Sequence, residues 1–188
     1  MVFVVGCSNN SEPNEETPPV VEGGQEELDH PEPHKGGDIV VGLAGDPYSL
    51  ATWNSNDMNS SLIMNLVLPA LMVTDENGNK VPYVIENYEI SEDAMEYTVT
   101  IHDGITWHDG TPFTVEDLKF TAEYTVDHSL GFGSDMNANI DTMEVIDDRT
   151  IIYKLKTPQV NFLSQMGFWV DIMPKHIFEN VEDPVNFD

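Results

Sequence analysis

YTVTIHDGITWHDGTPFTVEDLKF, residues 97–120, carries the reading that decides the fold. Tyr97, Val99 and Ile101 alternate with Thr98 and Thr100, the period-2 pattern of a strand with one buried and one wet face. Two triplets follow, His102-Asp103-Gly104 and His108-Asp109-Gly110. Each offers an Asp to bond the backbone of a turn and a Gly that adopts positive φ without strain. Thr114 with Asp117 three residues on is a capping box that uses Asp where Glu or Gln is usual, and Glu116 and Asp117 sit at the positive end of the helix dipole. Val115, Leu118, Ala122 and Val126, beside Phe120 and Tyr124, predict an apolar helix face that runs to about His128 and packs on a sheet. Strand, double turn and capped helix in this order point to an α/β fold.

Upstream, residues 84–90 predict the partner strand of a hairpin closed by Ser91-Glu92-Asp93. Before it come a short strand at residues 71–74 and a turn at 75–79. A helix capped by Asn56 or Asp57 is expected to bury Leu62, Ile63, Leu66 and Val67 and to stop at Pro69. Residues 38–44, nearly all apolar, predict a strand buried on both faces and ended by Gly45-Asp46-Pro47. Downstream, residues 131–139 read as a Gly/Asn-rich loop, residues 143–146 and 150–155 as a second hairpin around Asp147-Asp148, and residues 160–166 and 174–180 as short helices.

The net charge of −27 comes from 34 acidic against 7 basic side chains, which excludes recognition of nucleic acid or anionic lipid through a basic surface. Residues 1–36 hold 8 of the acids and one Lys, so the remainder still carries about −20 and is suited to salty surroundings. Cys7 is the single cysteine, so neither an intramolecular disulfide nor a Cys-based zinc site exists. Val4-Val5-Gly6-Cys7 has the pattern of a bacterial lipoprotein cleavage site, in which Cys7 takes the lipid. Residues 1–7 are short for a signal peptide and read as the remnant of one whose start lies upstream. Residues 8–36, rich in Ser, Asn, Pro, Glu and Gly, read as a flexible acidic tether, and residues 37–188 as the ordered domain.

Several residue groups invite chemistry. The paired His and Asp of the two triplets are of the type that ligates metal or transfers protons, but both sit where turns are needed. Asp75, Asn77, Asn79 and Glu86 match positions 1, 3, 5 and 12 of an EF-hand loop, yet Lys80 stands where Gly is required and Pro82 interrupts. Trp53, Trp107 and Trp169, with Tyr48, Tyr83 and Phe168, are candidates to line a cleft or to pack hairpins. The segment from Asp46 to Trp53 stands out, because loops at strand carboxyl ends are where α/β folds bind ligands. No nucleophile constellation, phosphate loop or zinc-protease helix occurs, so there is no catalytic residue, cofactor or metal to assign.

Residues 97–120, with Trp107-His108-Asp109-Gly110-Thr111-Pro112 at their centre, resemble the strand, W-x-D-G-T-P turn and helix of the family 5 solute-binding proteins of ABC importers. Gly36-Gly37, Val84-Ile85-Glu86-Asn87-Tyr88, Asp148-Arg149-Thr150 and Met173-Pro174-Lys175-His176 extend the resemblance in the same order over residues 36–188. Two places depart from it: His102 stands for a basic residue, and Leu50-Ala51-Thr52 for "L-D-P", which bears on ligand preference.

The resemblance implies the first-lobe portion of a two-lobed type II periplasmic-binding-protein fold, about a third of such a chain. It further implies a monomeric receptor outside the cytoplasmic membrane, lipid-anchored at the cell surface or in the periplasm, that hands oligopeptides, dipeptides or similar small solutes to ABC permease subunits. Asp46, Pro47, Tyr48, Ser49 and Trp53 are the expected ligand contacts, Asp46 to Tyr48 by family position, through backbone hydrogen bonds in a strand-addition mode. Two other readings stay open: a stand-alone lipid-tethered surface module without a cleft, and a metal-dependent hydrolase built on His102 and His108.

Overall fold

The computed structural model describes residues 36–51, 53 and 57–186, except the side chains of Phe168 and Trp169. Cys7, the tether and Asn56 lie outside the described residues. The chain divides into Met1–Val40 and Val41–Asp188. In the first unit, residues 36–40 form no regular element, and Ile39 and Val40 are 91% and 94% exposed. Residues 41–44 of the second unit are likewise exposed and unpaired into any strand. The expected doubly buried strand at 38–44 is therefore absent. An apolar run becomes a strand only where a neighbour accepts its backbone groups, and no described strand pairs with it.

The second unit runs α1 (Met58–Val67), β1 (Met72–Thr74), β2 (Lys80–Pro82), β3 (Ile85–Ile90), β4 (Glu96–Ile101), α2 (Val115–Asp127), α3 (Gly131–Asn137), β5 (Ile140–Val145), β6 (Thr150–Leu155), α4 (Phe162–Trp169) and α5 (Lys175–Phe178). β1 and β2 form a small antiparallel ladder, and β3-β4-β6-β5 a four-stranded antiparallel sheet. In its register Tyr97 faces Tyr153 and Val99 faces Ile151. Directly opposed residues share a face, so the alternation read in residues 97–101 collects Tyr97, Val99, Ile101, Ile151 and Tyr153 on one side, all buried. Val115 and Leu118 of α2 and Phe162, Leu163 and Met166 of α4 complete this core. Thr98, Thr100 and the Glu96–Lys154 ion pair lie on the wetter side. β3 is an edge strand. Tyr88 and Ile90 lie opposite Val99 and Tyr97 but stay 37% and 42% exposed, and Glu86 and Glu89 guard the edge with charge.

α2 starts as the sequence predicts: Thr114 accepts from Glu116 N, and Asp117 Oδ2 accepts from Thr114 N at 3.0 Å. Its buried stripe holds Val115, Leu118, Ala122 and Tyr124, whereas Val126 is exposed. α1 is capped by Asp57 and ends before Pro69, with Leu68 held extended as the residue preceding proline. Its buried side is Ser60 and Met64. The expected Leu62 and Leu66 are 48% and 80% exposed, because the chain packs against the opposite flank of the helix, and Val67, on the same flank as Ser60 and Met64, is 44% exposed. The expected loop at 131–139 contains α3. Packing outweighs weak propensity there: Leu130, Gly133 and Asn137 are buried, and a Cβ on Gly133 would meet Thr125 of α2 at 3.0 Å.

Candidate functional site

The segment 46–53 is organised by the start of α1. The Asp57 carboxylate caps the helix through Ser60 N–H (3.0 Å to Oδ1) and accepts the Tyr48 N–H on Oδ2 at 3.2 Å. Ser60 Oγ, itself bonded to Asp57, accepts the Ser49 N–H at 3.3 Å, and Ser49 Oγ accepts from Ala51 N–H at 3.0 Å. One N-cap thereby shapes a loop nine residues upstream. Asp46 is exposed, Pro47 and Ser49 are half-buried, and the Tyr48 ring is 80% exposed. Since the amides of Tyr48 and Ser49 are engaged by side chains, strand addition at these two residues would run through their carbonyls.

Trp53 turns the other way, into the protein. Its Nε1–H donates to Pro184 O at 3.0 Å, and its ring meets Phe178 edge-on with centroids 5.3 Å apart. Beside it lies an apolar cavity of about 270 Å³ walled by Leu50, Met64, Trp107, Met173 and Phe178. Of the five expected contacts, Trp53 lines this cavity and Asp46, Pro47, Tyr48 and Ser49 do not.

Trp107 is 9% exposed, packs on Phe113 and donates its indole N–H to Asp117 Oδ2 at 3.3 Å. The Asp117 carboxylate, 4% exposed, also accepts the Lys175 N–H on Oδ1 at 2.9 Å. One turn along α2, Thr121 Oγ1 accepts the Met173 N–H at 2.8 Å, and Tyr124 OH donates to Val181 O at 2.6 Å. Residues 173–181 are thus strapped to α2, and Trp53 closes against the strap. Sequence reasoning identified Asp117 as a cap but missed its bonds to residues 107 and 175, which lie 10 and 58 positions away. No local pattern announces such partners.

The two His-Asp-Gly triplets are turns, with Gly104 at φ +73° and Gly110 at φ +88°. Asp109 Oδ1 accepts from Thr111 N–H at 2.9 Å, while Oδ2 meets His176 Nε2 at 2.8 Å. The Thr111 N–H first, and His176 second, hold the Asp109 carboxyl down at about 2. His102 lies by a cavity of about 680 Å³ that Tyr83 and Phe113 also line, and Trp107 and His108 border both cavities. Asp75 Oδ1 accepts from Asn77 N–H (2.9 Å) and Asn79 N–H (2.7 Å) and Oδ2 from Asn79 Nδ2 (3.2 Å), so the EF-like spacing is a turn between β1 and β2. Among the described residues no three His, Cys, Asp or Glu side chains converge as a metal site, and no helix is long and apolar enough to cross a membrane.

The model of the family described as bacterial extracellular solute-binding proteins, family 5 Middle, matches residues 79–187. The oligopeptide-binding protein AppA of Bacillus subtilis is 31% identical over 152 residues, which cover 79% of this chain and 28% of that protein. The structure of AppA in complex with a nonapeptide superposes with a TM-score of 0.73 at 30% identity, over 82% of this chain and 31% of that one. The ABC transporter substrate-binding protein CtaP of Listeria monocytogenes gives a TM-score of 0.71 at 30% identity, over 81% of this chain and 31% of that one. The chain spans under a third of the length of these relatives.

Proposed function

Because this chain belongs to the bacterial extracellular solute-binding proteins of family 5, we propose that it is part of the receptor of an ABC importer, taking oligopeptides or dipeptides outside the cytoplasmic membrane. The observation that carries the reading is the 31% identity to an oligopeptide-binding protein over 79% of this chain, with the strand-turn-helix at 97–120 inside the match. Asp46, Pro47, Tyr48, Ser49 and Trp53 are the solute contacts in this reading, Trp53 beside the apolar cavity. The protein acts by binding and release, as a monomer that docks on permease subunits, and does no chemistry on its cargo.

Residues 37–188 are the solute-binding part, residues 8–36 the tether, and Cys7 the lipidated residue. The support for the anchor is local: small and aliphatic residues directly before Cys7, then a polar, acidic stretch long enough to hold a domain clear of a bilayer.

Calorimetry on the full-length protein tests the reading. A pool of random nonapeptides should bind, and free amino acids should bind far more weakly; no heat with any peptide ends the peptide reading. Labelled fatty acid should be incorporated in cells expressing the wild type and not in C7A, and equal labelling of the two removes Cys7 as the anchor.

A further inference from the structure

Capping α2 needs one acceptor oxygen, yet the Asp117 carboxylate serves three N–H donors from three segments: Thr114 N at 3.0 Å, Trp107 Nε1 at 3.3 Å and Lys175 N at 2.9 Å. The Thr121 hydroxyl, four residues on, accepts the Met173 amide at 2.8 Å and donates to Asp117 O at 2.7 Å. The spacing is geometrically apt. Four residues of helix rise about 6 Å, and two residues of extended chain span about 6.6 Å, so side chains i and i+4 meet alternate amides of a strap running alongside. All three partners of Asp117 are donors, which calls for a group that only accepts. An amide in its place would turn an N–H toward another N–H and leave a buried donor without a partner.

Trp107 and the strap that carries Lys175 border one space. Trp107 lines the cavity beside Trp53, and so do Met173 and Phe178, on the strap of residues 173–181 that contains Lys175. We propose that Asp117 is a positioning residue for solute binding: by holding Trp107 and the Lys175 amide on one carboxylate, it sets the separation of the walls against which Trp53 and the 46–53 loop are braced. This rests on the solute-binding reading above.

Four variants of the full-length protein test it. D117N keeps shape and removes the acceptor-only character. T114A weakens the same helix cap but leaves the carboxylate and its donors in place. K175P removes the amide that Asp117 accepts, at the first residue of α5 where proline fits and after Pro174, already extended at ψ 109°. K175A keeps that amide while losing the Glu116 ion pair. At a temperature where each is folded, affinity for the nonapeptide pool should fall about ten-fold or more in D117N and K175P and stay within about two-fold in T114A and K175A. Unchanged affinity in folded D117N, or an equal loss in T114A, overturns the proposal. If D117N does not fold, the K175P and K175A pair decides by the same criterion.

Amide hydrogen exchange separates this from failure of the peptide reading. If the wild type binds no peptide, the Lys175 amide should still lose protection in D117N and keep it in T114A. Protection that survives in D117N overturns the positioning role.

Discussion

Asp109 shows how much one side chain can settle. Its Oδ1 closes the turn through Thr111 N–H and its Oδ2 ties that turn to His176. These donors favour the charged form and hold the carboxyl at about 2, below its ordinary value of 3.8. A depressed carboxyl stabilises the fold above the unfolded value and loses that contribution as pH falls toward the folded one, so the loss falls between about pH 4 and pH 2. Thermal unfolding midpoints measured from pH 5 to pH 2 should therefore drop less steeply in D109N than in the wild type; parallel curves would mean that the turn bonds contribute nothing. Asp75, Asp93, Asp147 and Asp183 are lowered by hydrogen bonds in the same way, so the wild type keeps a downward slope from them. Turn roles of this kind are legible in sequence, because Asp and its donors lie within a few residues. The link from Asp109 to His176, 67 residues away, is not.

At the scale of elements, the outcome divides by whether the burying surface is local. β4 shows its inner face by alternation, and α2 shows its start by Thr114 and Asp117. α1 has an equally apolar sequence, but the neighbours it meets lie against Ser60 and Met64, leaving Leu66 80% exposed. Substitution separates the two helices. L118A, at a side chain with no exposure, should cost about 2–5 kcal/mol, while L66A should stay within about 0.5 kcal/mol. Denaturant unfolding at 25 °C measures both, and a loss from L66A as large as that from L118A would place Leu66 in a core. α3 makes the converse point. Gly131, Gly133, Ser134 and Asn137 predict a loop, yet the missing Cβ of Gly133 is what allows the helix to sit close against Thr125, to which Asn137 Nδ2 donates at 3.0 Å.

For the whole molecule the dominant long-range term is self-repulsion, with 34 acidic against 7 basic side chains. The ion pairs that relieve it, such as Lys175–Glu116 and Lys119–Glu123, are partly exposed and individually weak. Salt shortens the reach of the repulsion from about 10 Å at 0.1 M to about 3 Å at 1 M. The unfolding midpoint should accordingly rise between 0.05 M and 1 M NaCl, and a flat or falling midpoint would show that the acidic surface does not limit stability. The sequence by itself determined the charge, the strand-turn-helix of residues 97–120 and, through it, the family, because each depends on composition or on contacts within some twenty residues. Only the tertiary structure decided that residues 38–44 stay unpaired, that α1 turns Leu62 and Leu66 outward, and that Asp117 binds Trp107 and Lys175 as well as its own helix. Those outcomes depend on which distant surfaces are present to accept a hydrogen bond or cover an apolar face, and a local pattern carries no record of its distant partners.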